Sequence, residues 1–258
     1  SQIISPPLGA LLLNMLTLQG MMMIDVATAI VAIVPLFCIS IPQPEPETEE
    51  LEVQGDTLHL QRLWNDTRDG MAYIWHWKGL RQIVVVAAVL SLIWIPAFTL
   101  MPLLVRNYFG KGALELGYLD ASWGGGIIIG GLLLAALGGG SRPVQCAMGL
   151  VVVEGGLLLL VPLARAGSLW MAAVGLAASA IANAMLNGLF MGFMQKRVEP
   201  IKQGRVFTAL HALSGAMTPL GMILAAPMAQ TFGVRSWFFA AAVSAILIGV
   251  LSLSSRHV

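Results

Sequence analysis

The chain has 258 residues, of which 57% are hydrophobic and 10% are charged, and its formal net charge at pH 7 is +1. Soluble proteins carry about 25% charged residues, so a soluble protein is excluded and an all-α integral membrane protein with several spans is predicted. The balanced charge gives no sign of a nucleic-acid partner. The two cysteines, Cys38 and Cys146, lie in apolar segments and indicate neither a disulfide framework nor a metal site.

Eight apolar segments approach or reach the length that crosses a lipid bilayer, which is about 17–25 residues. They cover residues 3–18, 21–41, 83–105, 115–138, 144–163, 169–194, 206–229 and 237–254. The first begins almost at Ser1, without an initiator Met and without the basic start of a signal peptide. We therefore expect the sequence to begin inside a longer protein.

A polar stretch, residues 42–81, separates the second segment from the third and holds 8 of the 13 acidic and 4 of the 14 basic residues. Its first part is rich in proline and glutamate, which is typical of a solvated tether. Its second part has one apolar helical face, which predicts a helix at the membrane surface. That face consists of Leu60, Leu63, Trp64, Thr67, Met71, Ile74 and Trp75.

The distribution of Lys and Arg in the loops predicts the orientation. If the spans alternate, ten of these residues lie on the side of the linker and four on the other side. Residues 42–81 are therefore expected in the cytoplasm.

A short repeat indicates how the spans are grouped. Pro7-Leu8-Gly9 in the first segment corresponds to Pro219-Leu220-Gly221 in the seventh. The two motifs occupy similar positions in their spans, as a duplicated six-helix unit predicts.

Two motifs resemble a known family. Residues 5–10 resemble the antiporter motif Gly-Pro-x-x-Gly-Gly in the fifth helix of the major facilitator superfamily. The loop 195–200, followed by residues 204–207, resembles the loop between helices ten and eleven of its macrolide-efflux branch of drug:proton antiporters. The loop 139–143 lacks the acidic partner of Arg142 that this superfamily often has. The resemblance covers the whole chain, as helices five to twelve of a protein with six plus six helices.

The resemblance implies a domain organisation. Residues 1–41 would be the last two helices of the N-terminal half, residues 42–81 the cytoplasmic linker, and residues 82–258 the C-terminal six-helix half. The missing N-terminal helices of the parent chain would complete the bundle.

The same resemblance implies a secondary transporter in the bacterial cytoplasmic (inner) membrane. It would export amphipathic small molecules, such as macrolide-like drugs, in exchange for protons by alternating access. The alternatives are a siderophore or lysophospholipid transporter of the same fold, or a non-transporting membrane scaffold. No nucleophile–base pair and no metal-ligand set is apparent, so neither an enzyme nor a cofactor is expected.

Polar residues at helical spacing mark a candidate substrate cavity, since such faces are costly against lipid. The candidates on the sixth and seventh segments are Ser179, Asn183, Asn187, Phe190, Met194, Ser214 and Thr218. By resemblance, these segments are helices ten and eleven, which line the central path. Hydrogen bonding between helices is the alternative use of the polar groups.

Further candidates concern gating and the cytoplasmic loops. The gating and motif residues are Ser5, Pro6, Pro7, Gly9, Ala10, Pro219 and Gly221. The loop residues are Arg142, Arg197, Glu199 and Arg205. A stripe of small residues, from Gly117 through Gly124 and Gly131 to Gly138, predicts close helix packing.

The candidates for proton coupling are Asp120, Glu154 and His211. A charge at the centre of a single helix costs about 2.5–3.5 kcal/mol, so a carboxylate there is expected to serve a function. By resemblance, Asp120 lies on helix eight, which borders the path, and Glu154 on helix nine, which is an outer supporting helix. Asp25, near the end of its span, is assigned a capping role.

Overall fold

The computed structural model describes residues 18–38, 68, 70–76, 78–138 and 143–254. Its helices are numbered here in chain order. They are α1 (Leu18–Cys38), α2 (Lys78–Thr99), α3 (Met101–Asn107), α4 (Ala113–Leu137), α5 (Pro143–Leu158), α6 (Leu160–Leu163), α7 (Leu169–Arg197), α8 (Pro200–Phe232) and α9 (Val234–Ser254). Residues 70–76 are also helical and are called the linker segment. These residues contain no strand, which confirms the all-α prediction.

The described helices are long and apolar enough for five membrane spans, or for six if one bent pair is counted as a span. The five are Ala113–Leu137, Val144–Leu163, Leu169–Arg197, Lys202–Phe232 and Val234–Ser254. They correspond to the last five predicted segments, and α1 corresponds to the second. The first segment, 3–18, lies almost entirely outside the described residues.

The bent pair is α2 and α3, which together replace the single span predicted at 83–105. Their axes differ by 43°. Pro102 lies in the first turn of α3 and has no N–H to donate to the carbonyl of Phe98, so the hydrogen-bond ladder is interrupted there. Before this point, the N–H of Leu100 donates to the carbonyl of Pro96 at 2.8 Å, and after it the N–H of Leu104 donates to the carbonyl of Leu100 at 3.0 Å.

Helix α8 begins at Pro200, six residues before the predicted start of its segment. Proline suits the first turn of a helix because its missing N–H would have no helical partner there. Lys202 then pairs with Glu199 at 2.9 Å. The polar residues 200–205, predicted as a loop, are therefore a helical turn that extends out of the apolar segment.

Helix α7 holds the described bundle together by packing against α4 on one side and α5 on another. The contact with α4 is close, because a methyl group added at Gly130 would lie 2.9 Å from Cβ of Ala184. One added at Gly126 would lie 2.6 Å from Cβ of Ala180. Gly131, which the predicted stripe includes, faces open space. The prediction of close packing is therefore correct, but the contact face is rotated from the predicted stripe.

One end of the bundle is filled by a large cluster of buried residues, which we call the far-end core. It includes Leu104, Phe109, Leu119, Leu158, Leu176 and Phe238. Arg235 closes it by donating from Nε to the carbonyl of Pro162 while its guanidinium lies 5.1 Å from the centre of the Tyr108 ring. These contacts fasten the loop after α3 to the start of α9.

The linker segment packs against the opposite end of the bundle. Ile74 is fully buried in the linker-end cluster, which also contains Val84, Met194, Val198, Val206 and Ala209. Gly70 allows the backbone of the segment to approach α8, since a methyl group there would lie 3.2 Å from Cβ of Ala209. Trp75 is exposed. The segment predicted to lie on the membrane surface thus also covers the ends of α2, α7 and α8.

The predicted domain boundaries differ from the helix ends in one place. Helix α2 begins at Lys78, so its first turn lies within the stretch predicted as linker.

Candidate functional site

A cavity of about 240 Å³ lies between α2, α5, α7 and α8. Its lining is mostly apolar, with a small number of polar side chains. The lining residues include Ser91, Val151, Asn187, Phe190, His211 and Ser214. A predominantly apolar pocket with a few polar groups is the usual form of a small-molecule site.

The cavity lies in the half of the bundle that ends at the linker segment. Val144 is at the start of α5, Phe193 is one turn from the end of α7, and Phe207 is two turns from the start of α8. Phe190, Phe193 and Phe207 also pack against the linker-end cluster. The far-end core closes the opposite half of the bundle, so the site is asymmetric along its axis.

Four of the predicted candidates line this cavity, namely Asn187, Phe190, Ser214 and His211. The stripe on α7 and the stripe on α8 thus face a common space. Helices α7 and α8 make little contact with each other, so the two stripes face each other across the cavity and do not pack together directly.

The other cavity candidates lie elsewhere. Met194 is fully buried in the linker-end cluster, so it packs against Ile74 and does not line the cavity. Thr218 is half-buried one turn beyond Ser214. Ser179 and Asn183 lie on α7 beyond the inner end of the cavity.

Glu154 on α5 has only 4% of its surface exposed, although it is a carboxylate in the middle of an apolar helix. Asn183 on α7 donates from Nδ2 to its Oε1 at 2.7 Å. Asn187, one turn further on, donates from Nδ2 to Oδ1 of Asn183 at 3.0 Å and to its carbonyl oxygen at 2.9 Å. Since Asn187 lines the cavity, these two amides connect the buried carboxylate with the cavity wall. We call this series the amide ladder.

Glu154 lies between the cavity and the far-end core. Val151, one turn before it on α5, lines the cavity, and Leu158, one turn after it, belongs to the core. On α7 the same order holds, with Leu176 in the core and Asn187 in the cavity wall. Ser179 lies in this intermediate layer, and its Oγ is buried without a hydrogen-bond partner among the described residues.

The lining of this cavity differs from what the resemblance implied for two helices. Helix α5 contributes Val144, Ala147, Met148 and Val151 to the cavity, so the helix of Glu154 is a cavity wall. No residue of α4 lines this cavity in the described part of the chain. Asp120 is exposed on that helix, away from the polar layer. Sequence reasoning had no signal for this, because the packing order of helices is a long-range property.

The gating and loop candidates are partly described. Gly221 is buried against α2, where a methyl group would lie 2.6 Å from Cγ of Pro96. Helix α8 continues through Pro219 without a break. Arg197 lies over the ring of Phe193, 5.9 Å from its centre. Glu199 pairs with Lys202, and Arg205 carries the carbonyl that Gly70 approaches.

Several candidates cannot be placed. Ser5, Pro6, Pro7, Gly9, Ala10 and Arg142 lie outside the described residues. Asp25 lies on α1.

Two aromatic residues of the cavity, Phe193 and Phe207, were missed by the sequence analysis, as was Ser91 on α2. Ser91 interrupts the apolar stretch 83–98 of α2, which was the available signal. Within the described residues, no group of three or more His, Cys, Asp or Glu side chains is arranged to hold a metal ion.

Comparison with known proteins identifies relatives among transport proteins. The chain is 25% identical over 251 residues to Macrolide efflux protein A of Streptococcus pyogenes, which covers 97% of this chain and 60% of that protein. It is 23% identical over 222 residues to Macrolide efflux protein A of Enterococcus faecalis, covering 86% of this chain and 66% of the relative. It is 24% identical over 209 residues to Multidrug efflux pump Tap of Mycobacterium bovis, covering 79% of this chain and 49% of the relative.

The chain thus spans about half to two-thirds of the length of these relatives. No solved structure matches it. The family model described as Major Facilitator Superfamily matches residues 1–217, and the described helices have the length and apolar composition of a multi-pass membrane protein. The resemblance seen in the sequence is therefore confirmed, and the chain belongs to the Major Facilitator Superfamily.

Proposed function

We propose that this chain is part of a secondary active transporter that exports amphipathic small molecules, macrolide-like drugs being the first class to test. The observation that carries the proposal is the cavity between α2, α5, α7 and α8, which lies within the membrane-spanning body. The similarity to a macrolide efflux protein and to a multidrug efflux pump supports efflux as the function.

The chemistry of the cavity disfavours anionic amphiphiles. Aliphatic and aromatic side chains make up most of the wall, while Asn187, His211 and Ser214 supply hydrogen-bonding groups. In the described part of the chain, no Lys or Arg lines the cavity. A siderophore carboxylate or a lysophospholipid phosphate would therefore enter without a cationic partner, which is costly in an apolar site.

The asymmetry of the bundle supports alternating access. The cavity lies toward the linker end, and the far-end core fills the other half. Moving a ligand across would require the helices to open that core while the linker end closes, as rocking of two halves does. We propose that proton entry drives this cycle.

The test is drug accumulation in bacterial cells that express the full-length protein. Radiolabelled erythromycin is expected to accumulate less in these cells than in cells with an empty vector, and a protonophore should abolish the difference. Phe190→Ala, in the cavity wall, should weaken efflux. Trp170→Ala, on the exposed face of α7, should not. Equal accumulation with and without the protein would instead favour the scaffold alternative.

A further inference from the structure

We propose that Glu154 binds the exchanged proton and that the amide ladder of Asn183 and Asn187 makes proton binding compete with substrate binding in the cavity. This inference rests on the proposed function, because it assigns the coupling step of that transporter to three residues.

The first step is the electrostatic isolation of Glu154. Helix α5 packs against α6, α7 and α9. The charged residues of α7 are Lys196 and Arg197 in its last turn, α9 has Arg235 in its first turn, and α6 has none. At 1.5 Å per residue, Lys196 lies about 20 Å along α7 from Asn183.

Two further titratable groups lie near this part of the bundle without contacting Glu154. Cys146 lies two turns away on α5 and is exposed, and His211 faces the cavity from α8. Among the described residues, no ion pair includes Glu154. A buried carboxylate without a cation is far less costly when it is protonated, so this position suits a group that exchanges a proton.

The second step is the direction of the hydrogen bonds. Asn187 donates to Asn183, and Asn183 donates to Glu154, so both amides direct an N–H toward the carboxylate. An ionised carboxylate accepts hydrogen bonds and donates none, so it favours this direction. The amide oxygen of Asn187 is then available on the cavity side.

The third step is the effect of a proton on the same residues. Protonated Glu154 has an O–H that needs an acceptor, and the amide oxygen of Asn183 fills this role once that amide rotates. Asn183 then donates to Asn187, whose own NH₂ group turns toward the cavity. Ser179, one turn before Asn183, offers a second buried acceptor. Protonation thus converts the group that Asn187 presents from an acceptor to a donor.

The consequence is coupling of the kind that an antiporter needs. A substrate that donates a hydrogen bond, such as a protonated amine, binds the oxygen of Asn187 and thereby favours ionised Glu154. Binding of that substrate expels the proton, and binding of a proton weakens the substrate site. By linkage, the two effects have the same magnitude.

The test measures proton release from the purified full-length protein. Erythromycin, which carries an amine, is added in weakly buffered solution with a pH indicator, and its binding is measured separately. The unmodified protein is expected to release about one proton per erythromycin bound. Over the pH range in which Glu154 is protonated in the absence of erythromycin, the affinity of the protein for erythromycin should rise by up to about tenfold for each unit of increase in pH.

Glu154→Gln should still bind erythromycin, but without proton release and without this pH dependence. Asn187→Ala should bind more weakly, by about three- to tenfold, and should lose most of the proton release. The matched controls are Glu115→Gln, at the start of α4 outside the cavity, and Asn107→Ala, at the end of α3. Both should behave as the unmodified protein does.

If proton release persists in Glu154→Gln, or is lost in Asp120→Asn instead, Glu154 is not the proton-binding residue. The proposed efflux function would still stand in that case. Unchanged release in Asn187→Ala would overturn the role of the ladder. If Glu154→Gln does not fold, Glu154→Asp takes its place. This variant should still release a proton when erythromycin binds, but over a shifted pH range. If the amount of proton release and the midpoint of its pH dependence are both unchanged, the proposal is contradicted. Absence of erythromycin export by the unmodified protein would refute the proposed function itself.

Discussion

Trp237 donates its indole N–H to the carbonyl oxygen of Ile93 at 3.1 Å, which joins the start of α9 to α2 just before the bend. The indole is almost completely buried in the far-end core. Next to this bond, the backbone of α8 at Gly221 approaches Pro96. Three helices therefore meet where α2 carries an interior proline, and their contacts hold the bent pair in position.

Trp237→Phe should destabilise the protein by at least about 0.6 kcal/mol, which is the average contribution of a hydrogen bond between membrane helices. Phenylalanine keeps the six-membered ring but lacks the pyrrole ring and its N–H, so the loss combines the hydrogen bond with a packing defect at this buried site. The measurement is the thermal midpoint of the purified protein in detergent. Trp170→Phe, at a site that is 69% exposed, is the control, and an equal effect at both sites would contradict the importance of this bond.

Gly130→Leu should disrupt the contact between α4 and α7, because even a methyl group there would overlap with Ala184. Gly131→Leu introduces the same side chain into open space and should be tolerated. The measurements are the yield of each variant in the membrane and the thermal midpoint of the purified variant, compared between the two neighbouring positions. Similar behaviour of both variants would mean that the helix faces are assigned incorrectly.

The glycines also show which parts of the fold were predictable. Apolar segments of bilayer length located the described spans, because burial in lipid requires every backbone group to be bonded within its own helix. The choice between Gly130 and Gly131 as the contact face was not predictable, since α4 is apolar on all sides. The segment 83–105 was predicted as one span. Pro102 interrupts its hydrogen-bond ladder, but the size of the bend depends on tertiary contacts.

The sequence indicated several residues of the candidate site but not their arrangement. Glu154 was singled out as a buried charge, and Asn183 and Asn187 as a polar stripe, so each residue type carried a signal. Their connection joins residues 29 positions apart in the chain, and spacing along a helix contains no information about such a pair. The resemblance also assigned the helix of Glu154 to the outside, whereas its residues line the cavity.

Ile74→Ala should loosen the linker segment, because Ile74 is fully buried among residues of α2, α7 and α8. Truncation of a buried Ile typically costs about 2–5 kcal/mol. Hydrogen exchange of the amides of residues 70–76 should accelerate, while exchange in α9 stays unchanged. Trp75→Ala, at an exposed site, should leave the exchange of the segment as it is, and acceleration there would argue against docking through Ile74.

The predicted orientation can be tested with single cysteines at Glu49 and Lys111 in a background without Cys38 and Cys146. A thiol reagent that cannot cross the membrane should label position 111 on intact cells, since this loop is predicted to face outward. Position 49 should react only after the cells are opened. Labelling of position 49 alone on intact cells would reverse the orientation.

Ser214→Lys should shift the ligand preference of the cavity away from cations. Ser214 is half-buried in the cavity wall, and a lysine there would be the first cation among the described lining residues. Two unit charges about 6 Å apart at an effective dielectric constant of 20 repel by about 3 kcal/mol, and bending of the lysine toward water reduces that value. Efflux of ethidium, a permanent cation, should therefore fall by roughly tenfold or more, while efflux of an uncharged macrolide should change much less.

Ser254→Lys, at the exposed end of α9, adds the same charge outside the cavity and should affect neither compound. Equal losses for the cation and the neutral macrolide in Ser214→Lys would indicate a steric effect, and would contradict a binding site whose selectivity depends on the absence of a positive charge.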